Sequence, residues 1–398
     1  MTDRLEHIKP FMAMDIAREA QRFPDTIHME LGEPDIPPSP GVTEAYVKAI
    51  RDGKYAYTPA LGLMELREKI AAFYGTKYGI DIPPSRVIVT PGTSGALMVA
   101  LGLSLDAGDR LCLPEPSYPC YRNFASFLNI DPVFLPAGKD KGFELTADML
   151  RHVKLARGTI VSSPANPTGK LYGQDNLAEI ADFCRQRKIA LISDEIYHGL
   201  VYEKREHTVL EFSEEAIVIN GFSKAFCMPG LRVGWMIVPE RLVRKAEIIV
   251  QNIFIAANTP AQYAACNAFD TAYMRFINET FKHRLDYLSG ELSGILDVPS
   301  PPDGAFYVWA DISGYLPNDS PGRSPENSPG SPPGSLIDSL SFCRELLNHS
   351  RVAITPGMDF GSNATEKYVR FSCTSPMEIL ESGIGKIKAF LRDKYRRS

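Results

Sequence analysis

No two of the seven cysteines, Cys112, Cys120, Cys184, Cys227, Cys266, Cys343 and Cys373, stand at the two-residue spacing of a zinc or redox motif, and their number is odd. That argues against a disulfide framework and for free thiols in a reducing compartment. Positive charge is also in short supply. With 43 Lys and Arg against 48 Asp and Glu, a net charge of -5, nothing draws the chain electrostatically to nucleic acid or anionic lipid. The opening stretch "MTDRLEHIKPFMAMDIAREAQRF" threads charges through its apolar positions and lacks the apolar core of a signal peptide. No uninterrupted apolar run elsewhere reaches membrane-spanning length. The absences together predict a cytoplasmic protein with no nucleic-acid and no membrane partner.

What the chain does have is length. Its 398 residues, 44% of them hydrophobic, exceed what one compact core usually supports, so two or three domains are expected. Short β-branched runs recur through the first two thirds: "RVIVT" (86 to 90), "RLCLP" (110 to 114), "TIVSS" (159 to 163), "IALIS" (189 to 193), "AIVIN" (216 to 220) and "VGWMIV" (233 to 238). Several are apolar on consecutive positions, as strands covered on both faces are, and segments such as "DNLAEIADFCRQRK" between them carry helical periodicity. The pattern predicts an α/β fold with a mostly parallel central sheet and helices on both faces.

Residues 46–285 are read as this large α/β domain. Residues 286–398 change character, with a charged amphipathic helix around "INETFKHRLDYLSGELSGIL", then "GAFYVWADIS", a helix "SLIDSLSFCRELLNHS", short strands "RVAIT" and "KYVRFSC", and a last helix. They read as a smaller α+β domain, with residues 1–45 packing against it and the site. The Ser/Pro/Gly-rich stretch 317–335 has no apolar side chains to offset the entropy of ordering, and is expected to be a flexible surface loop.

Ligands of an open α/β sheet bind beyond the carboxyl ends of its strands. After "RVIVT" come Gly92, Thr93 and Ser94, which would open a helix and offer free backbone N–H groups and two hydroxyls to an anion. After "RLCLP" comes Tyr118, an aromatic plate; after "TIVSS", Asn166; after "IALIS", Asp194 and Tyr197; after "AIVIN", Lys224. Each alone has a plainer use as a cap, turn or packing residue. As a set they meet the needs of pyridoxal 5'-phosphate: a lysine for its aldehyde, a carboxylate for its pyridine nitrogen, and a helix N-terminus with an arginine for its phosphate. Lys224 and Arg232 would grip opposite ends of that molecule. The loop between them must therefore turn back, which Pro229 and Gly230 permit, while Gly234 lets the returning strand pass close by.

Read in order, "LGEPD", "YTPALGLMELR", "PGTSGAL", "NPTG", "DEIY", "SK" with "PGLRVGW", "PDGAFYVW" and "YVRFS" span nearly the whole chain, and in them it resembles the fold type I, class I/II aminotransferases. The resemblance implies Lys224 as Schiff-base lysine and proton shuttle, Asp194 as pyridinium partner, and Asn166 and Tyr197 as ring-oxygen contacts. It puts Gly92, Thr93, Ser94, Ser223 and Arg232 at the phosphate. Arg370 would take the substrate α-carboxylate, assisted by Asn166 and the backbone near Gly32. Tyr57 would reach the phosphate of a neighbouring subunit, which implies a homodimer with shared sites. One position departs from the pattern: Gly221 stands where many relatives carry another phosphate-binding serine.

The implied reaction is ping-pong transfer of an amino group from an L-amino acid to a 2-oxo acid, and the alternative is a β-elimination C–S lyase on the same scaffold. A DNA-binding regulator is not expected, since the segment ahead of the α/β region is short and not basic. Phe11, Met14, Ile36, Cys120 and Phe254 are expected to line the side-chain pocket and to favour a neutral or apolar substrate. Arg122 is the group that could instead accept an acidic one.

Overall fold

Consecutive apolar positions in a strand require cover on both faces, and the chain provides it. The computed structural model describes residues 3–316 and 338–394, so the stretch 317–335 lies outside the described residues. In chain order the strands are β1 (Ile27–His28), β2 (Val87–Thr90), β3 (Arg110–Glu115), β4 (Asp131–Pro136), β5 (Ala156–Ser162), β6 (Ala190–Asp194), β7 (Ile217–Gly221), β8 (Gly234–Ile237), β9 (Tyr307–Asp311), β10 (Val352–Ala353), β11 (Thr355–Pro356) and β12 (Tyr368–Ser372). Seven form the central sheet in the order β2-β8-β7-β6-β5-β3-β4. Only β8 runs against its neighbours; the other pairings are parallel.

Alternate residues of these strands enter two separate cores. Val87, Val89, Val161, Val218 and Trp235 pack on one face with Ile70 and Tyr74 of the helix Met64–Tyr78 and Ile180 of the helix Gln174–Arg187. Ile88, Ile160, Ile217, Ile219 and Met236 pack on the other, with Leu97 and Leu101 of the helix Gly92–Ser104 and Val250 of the helix Glu240–Ile253. The expected fold, a mostly parallel sheet between helical layers, is the one observed.

Strand β4 escapes the sequence reading because its segment, "DPVFLP", carries two prolines. It pairs only with β3, and an edge strand tolerates residues that cannot donate to a ladder. The run "RVAIT" also divides. Val352 and Ala353 pair in parallel with Ile27 and His28, whereas Thr355 and Pro356 join β12 and β9 in a three-stranded antiparallel sheet. The N-terminal segment is thereby stitched to the C-terminal part. The Asp359 carboxylate ties it further by accepting the N–H groups of Met12 and Ala13, both at 3.1 Å, at the start of the helix Met12–Ala20.

The turn between Lys224 and Arg232 differs in one detail from expectation. Pro229–Leu231 forms a short 3-10 helix, and the left-handed conformation falls on Arg232 itself (φ 54°, ψ 48°) and not on Gly230. Gly234 does serve a close approach, since a Cβ there would lie 2.7 Å from the Gly92 carbonyl carbon and 2.8 Å from the Thr93 nitrogen. Gly234→Ala therefore has to push β8 and the helix start apart, at about 1–3 kcal/mol, which corresponds to a loss of several degrees in Tm. Gly230→Ala, with open space around it, is the control and should cost nothing in the same thermal melt.

Candidate active site

Five parallel strands and one antiparallel strand deliver their chemistry to a single edge of the sheet. The carboxyl ends of β2, β3, β5, β6 and β7 are followed by the residues singled out above, and β8, running the other way, begins there, just after Arg232. A cavity of about 260 Å³ opens at this edge. Every residue expected to bind cofactor or the substrate carboxylate lines it except Gly92 and Tyr57. Gly92 is buried at the helix start behind Thr93 and Ser94. Tyr57 is 77% exposed on the surface of the chain.

One end of the cavity is built for an anion. The helix Gly92–Ser104 points its free N–H groups there. The Arg232 guanidinium lies across Gly92, where a Cβ would come within 2.7 Å of its Nη2. Thr93, Ser94 and Ser223 complete the lining with hydroxyls. A dianion such as a phosphate suits this donor set.

At the centre, Lys224 Nζ donates to the Gly32 carbonyl at 2.6 Å. Burial, and after it the Arg370 charge, pushes the Lys224 ammonium down to about 8, against the pull of Glu33. Burial likewise raises the Asp194 carboxyl to about 6, although the Tyr121 hydroxyl (2.7 Å, to Oδ2) and the Ile196 N–H (3.2 Å, to Oδ1) both favour the carboxylate. Near neutral pH the site thus holds a lysine close to losing its proton opposite a mostly ionised carboxylate.

Arg370 is fully buried in β12. Its Nη1 donates to Asn166 Oδ1 at 2.8 Å, and its Nη2 to the Glu30 carbonyl at 2.5 Å and to Thr355 Oγ1 at 3.1 Å. Its Nε is buried with no partner among the described residues. A buried guanidinium with an unsatisfied N–H beside a cavity suits a carboxylate ligand.

The pocket walls correct part of the sequence reading. Phe11 and Met14 line the cavity, but Ile36, Cys120 and Phe254 do not. Phe254 instead packs near Gly95 on the helix that opens at Gly92. Arg122 also lies outside the lining, with its Nη2 donating to the Asp359 carbonyl at 2.9 Å.

Comparison with known proteins agrees with this arrangement. The family model for aminotransferase class I and II matches residues 24–387. The chain belongs to that family. The valine–pyruvate aminotransferase of Mycobacterium tuberculosis is 36% identical to it over 405 residues, covering 98% of this chain and 99% of its own. The (5-formylfuran-3-yl)methyl phosphate transaminase of Methanocaldococcus jannaschii is 34% identical over the same shares. Among solved structures, an aminotransferase from Mycobacterium tuberculosis superposes with a TM-score of 0.90 at 34% identity, covering 99% of both chains. The Thermus thermophilus aspartate aminotransferase with maleate gives 0.88 at 27% identity, covering 98% of this chain and 99% of that one. The protein is a transaminase.

The cavity of this aminotransferase is lined by two tyrosines that sequence reading passed over. Tyr121 stands in the same "EPSYPCY" as Tyr118 and touches Asp194, while Tyr307, in "GAFYVW", bonds Tyr197 (2.8 Å between hydroxyl oxygens). The only signal for Tyr307 was its place on a strand. Arg370 lies opposite Trp309 in the β12–β9 ladder, so Tyr307, two residues along, is its diagonal neighbour, which no single sequence reveals without the register. Tyr121→Phe removes a donor from the buried carboxylate and should raise the Asp194 midpoint from about 6 by roughly one pH unit. Infrared titration of the carboxylate band in aspartate-labelled apoprotein reads this directly, and an unmoved midpoint would refute it.

Proposed function

We propose that this aminotransferase moves the amino group of an L-amino acid with a neutral, apolar side chain to a 2-oxo acid in a ping-pong sequence, with pyridoxal 5'-phosphate as its cofactor. The observation that carries the reading is the convergence of Lys224, Asp194 and Arg370 on one small cavity whose far end is an anion seat. The donor set fits the cofactor: Arg232, Ser223, Thr93, Ser94 and the helix start from Gly92 suit its phosphate, Asp194 its ring nitrogen, Asn166 and Tyr197 its ring oxygen, and Tyr118 its ring face. When bound, the cofactor supplies an aldehyde that links covalently to an amine and a protonated ring that accepts the electrons left when a Cα–H bond breaks.

The rest is the work of the chain's own residues. Lys224 Nζ would hold the cofactor through its aldehyde, and its amine is placed to take the Cα proton of a bound amino acid, a role suited to a group brought down to about 8. Asp194, kept ionised by Tyr121 and the Ile196 N–H, holds the proton on the ring nitrogen. Arg370 aligns the substrate by its carboxylate, with Asn166 fixing the guanidinium plane. Gly32, from the N-terminal segment, offers backbone beside it. Apolar walls including Phe11, Met14 and Leu31, together with the likeness to a valine–pyruvate aminotransferase, support a neutral side chain. The exposure of Tyr57 supports a homodimer in which that tyrosine serves the partner's site.

Titrating the holoenzyme with single amino acids, with no 2-oxo acid present, tests the reading. Valine and similar donors should convert the absorbance of the lysine-linked cofactor to that of its amine form, and aspartate should do so poorly. No cofactor absorbance at all would sink the proposal. Lys224→Ala should abolish turnover while still holding cofactor without a covalent link. Arg370→Lys, which loses the bidentate fork, should lower kcat/KM for the donor by roughly ten- to hundredfold.

Because the neutral amine is the nucleophile, covalent capture of cofactor by the apoprotein should speed up about tenfold between pH 7 and pH 9 and then level off, given a Lys224 pKa of about 8. A rate still climbing tenfold per unit at pH 10 would place Lys224 at an ordinary lysine value and contradict the site electrostatics.

A further inference from the structure

Three contacts meet on Tyr307. Its hydroxyl oxygen stands 2.8 Å from that of Tyr197, and both rings are buried. Its ring lies under the Arg370 guanidinium, whose central carbon is 4.3 Å from the ring centroid. Its hydroxyl also rests against Gly32, where a Cβ would fall 1.7 Å from the oxygen. That is the residue whose carbonyl receives Lys224 Nζ. Tyr307 therefore touches the carboxylate-binding arginine, the ring-oxygen tyrosine and the backbone that holds the lysine.

Proton counting between the two tyrosines sets a direction. Each hydroxyl has one proton, and a 2.8 Å separation requires that one of the two be shared between them. If Tyr197 donated to Tyr307, it would have no proton to give to a ligand in the cavity. If Tyr307 donates to Tyr197, the Tyr197 proton is free to face the cavity and is strengthened as a donor by the bond behind it. The cation over the Tyr307 ring favours the second arrangement, because it makes Tyr307 the more acidic of the pair.

We propose that Tyr307 is a positioning residue of the transaminase: it donates to the Tyr197 oxygen, fixes the Tyr197 proton toward the cofactor's ring oxygen, and so lowers the pH at which the cofactor-linked Lys224 nitrogen loses its proton. The inference rests on the cofactor reading above. A donor at the ring oxygen favours the form in which that oxygen carries its full charge, which is the form with the nitrogen deprotonated. Removing the donor's support should raise the midpoint.

The experiment is a spectrophotometric pH titration of the bound-cofactor band in holoenzyme without substrate. Tyr307→Phe should raise the midpoint by about half to one pH unit. Tyr197→Phe should raise it further. Adding Tyr307→Phe to Tyr197→Phe should produce no additional shift, because the path runs through Tyr197. Replacing Tyr307 by 3-fluorotyrosine keeps the packing and makes a stronger donor, so it should lower the midpoint even if Tyr307→Phe proves hard to fold. A midpoint unmoved by both Tyr307 replacements, or equal shifts with and without the Tyr197 hydroxyl, overturns the inference. Wild-type holoenzyme that shows no titrating band at all would instead overturn the cofactor reading on which it rests.

Discussion

Two cations share one small cavity, and the rest of the architecture answers to that constraint. Lys224 and Arg370 repel each other where there is little water to screen them, with Arg232 as a third positive charge. Arg370 cannot give up its charge, so its two terminal nitrogens are held by Asn166, Thr355 and the Glu30 carbonyl, which leaves its Nε for a ligand. Lys224 can give up its charge, and burial beside the arginine brings it close to doing so. The strain between the two charges is thus converted into a reactive amine. Both cations use carbonyls of the same stretch, Glu30 for the arginine and Gly32 for the lysine, so residues 30–35 must be held rigidly. They are clamped by a bidentate ion pair from Arg284 to Asp35 (2.6 and 3.1 Å), by Thr374 Oγ1 on the Leu31 carbonyl, and by the Ser372 N–H on the Met29 carbonyl.

The clamp explains why the N-terminal segment crosses to the C-terminal part of the chain. A loop that carries acceptors for two buried cations gains nothing from mobility, since a shift of an ångström would leave a guanidinium or an ammonium unpaired. Pairing β1 with β10 and seating the helix Met12–Ala20 on Asp359 place that loop between the cavity and the small antiparallel sheet. The sheet contributes Arg370 and Tyr307 from adjacent strands, while the central sheet contributes Lys224 and Asp194. The cavity is closed by contact between the two.

How much of this was legible follows from what a sequence encodes locally. Apolar runs and turn residues marked six of the seven central strands, and the order of polar residues after them placed most of the site, because a parallel sheet sends every strand end to one edge. What stayed hidden depends on register or on side-chain direction. Tyr307 meets Arg370 only once β9 is aligned with β12, Tyr121 meets Asp194 only once a helix turns toward β6, and Ile36, Cys120 and Phe254 fall outside the lining of a pocket whose edge their position suggested. Arg122 was judged by its charge, yet its hydrogen bond to the Asp359 carbonyl decides where it points. Edge strand β4 was hidden by its prolines, which argue against a strand only where both sides of the ladder must be filled.

The glycine at position 221 is explained by the same packing. Gly221 pairs with Gly234 across β7 and β8 at the site edge of the sheet. A Cβ at 221 would lie 3.1 Å from Thr93 Cγ2 and 3.2 Å from Gly234 Cα, so a serine would press on the helix start that Gly234 allows to descend. The chain can present one more hydroxyl to an anion, or it can bring the backbone N–H groups of Gly92–Ser104 down onto the sheet edge beside Arg232. Helix N–H groups are fixed in direction and need no side-chain ordering, whereas a serine hydroxyl must be oriented on binding. With Thr93, Ser94 and Ser223 already lining that end of the cavity, a fourth hydroxyl adds less than the closer helix start, and glycine is the residue that admits it.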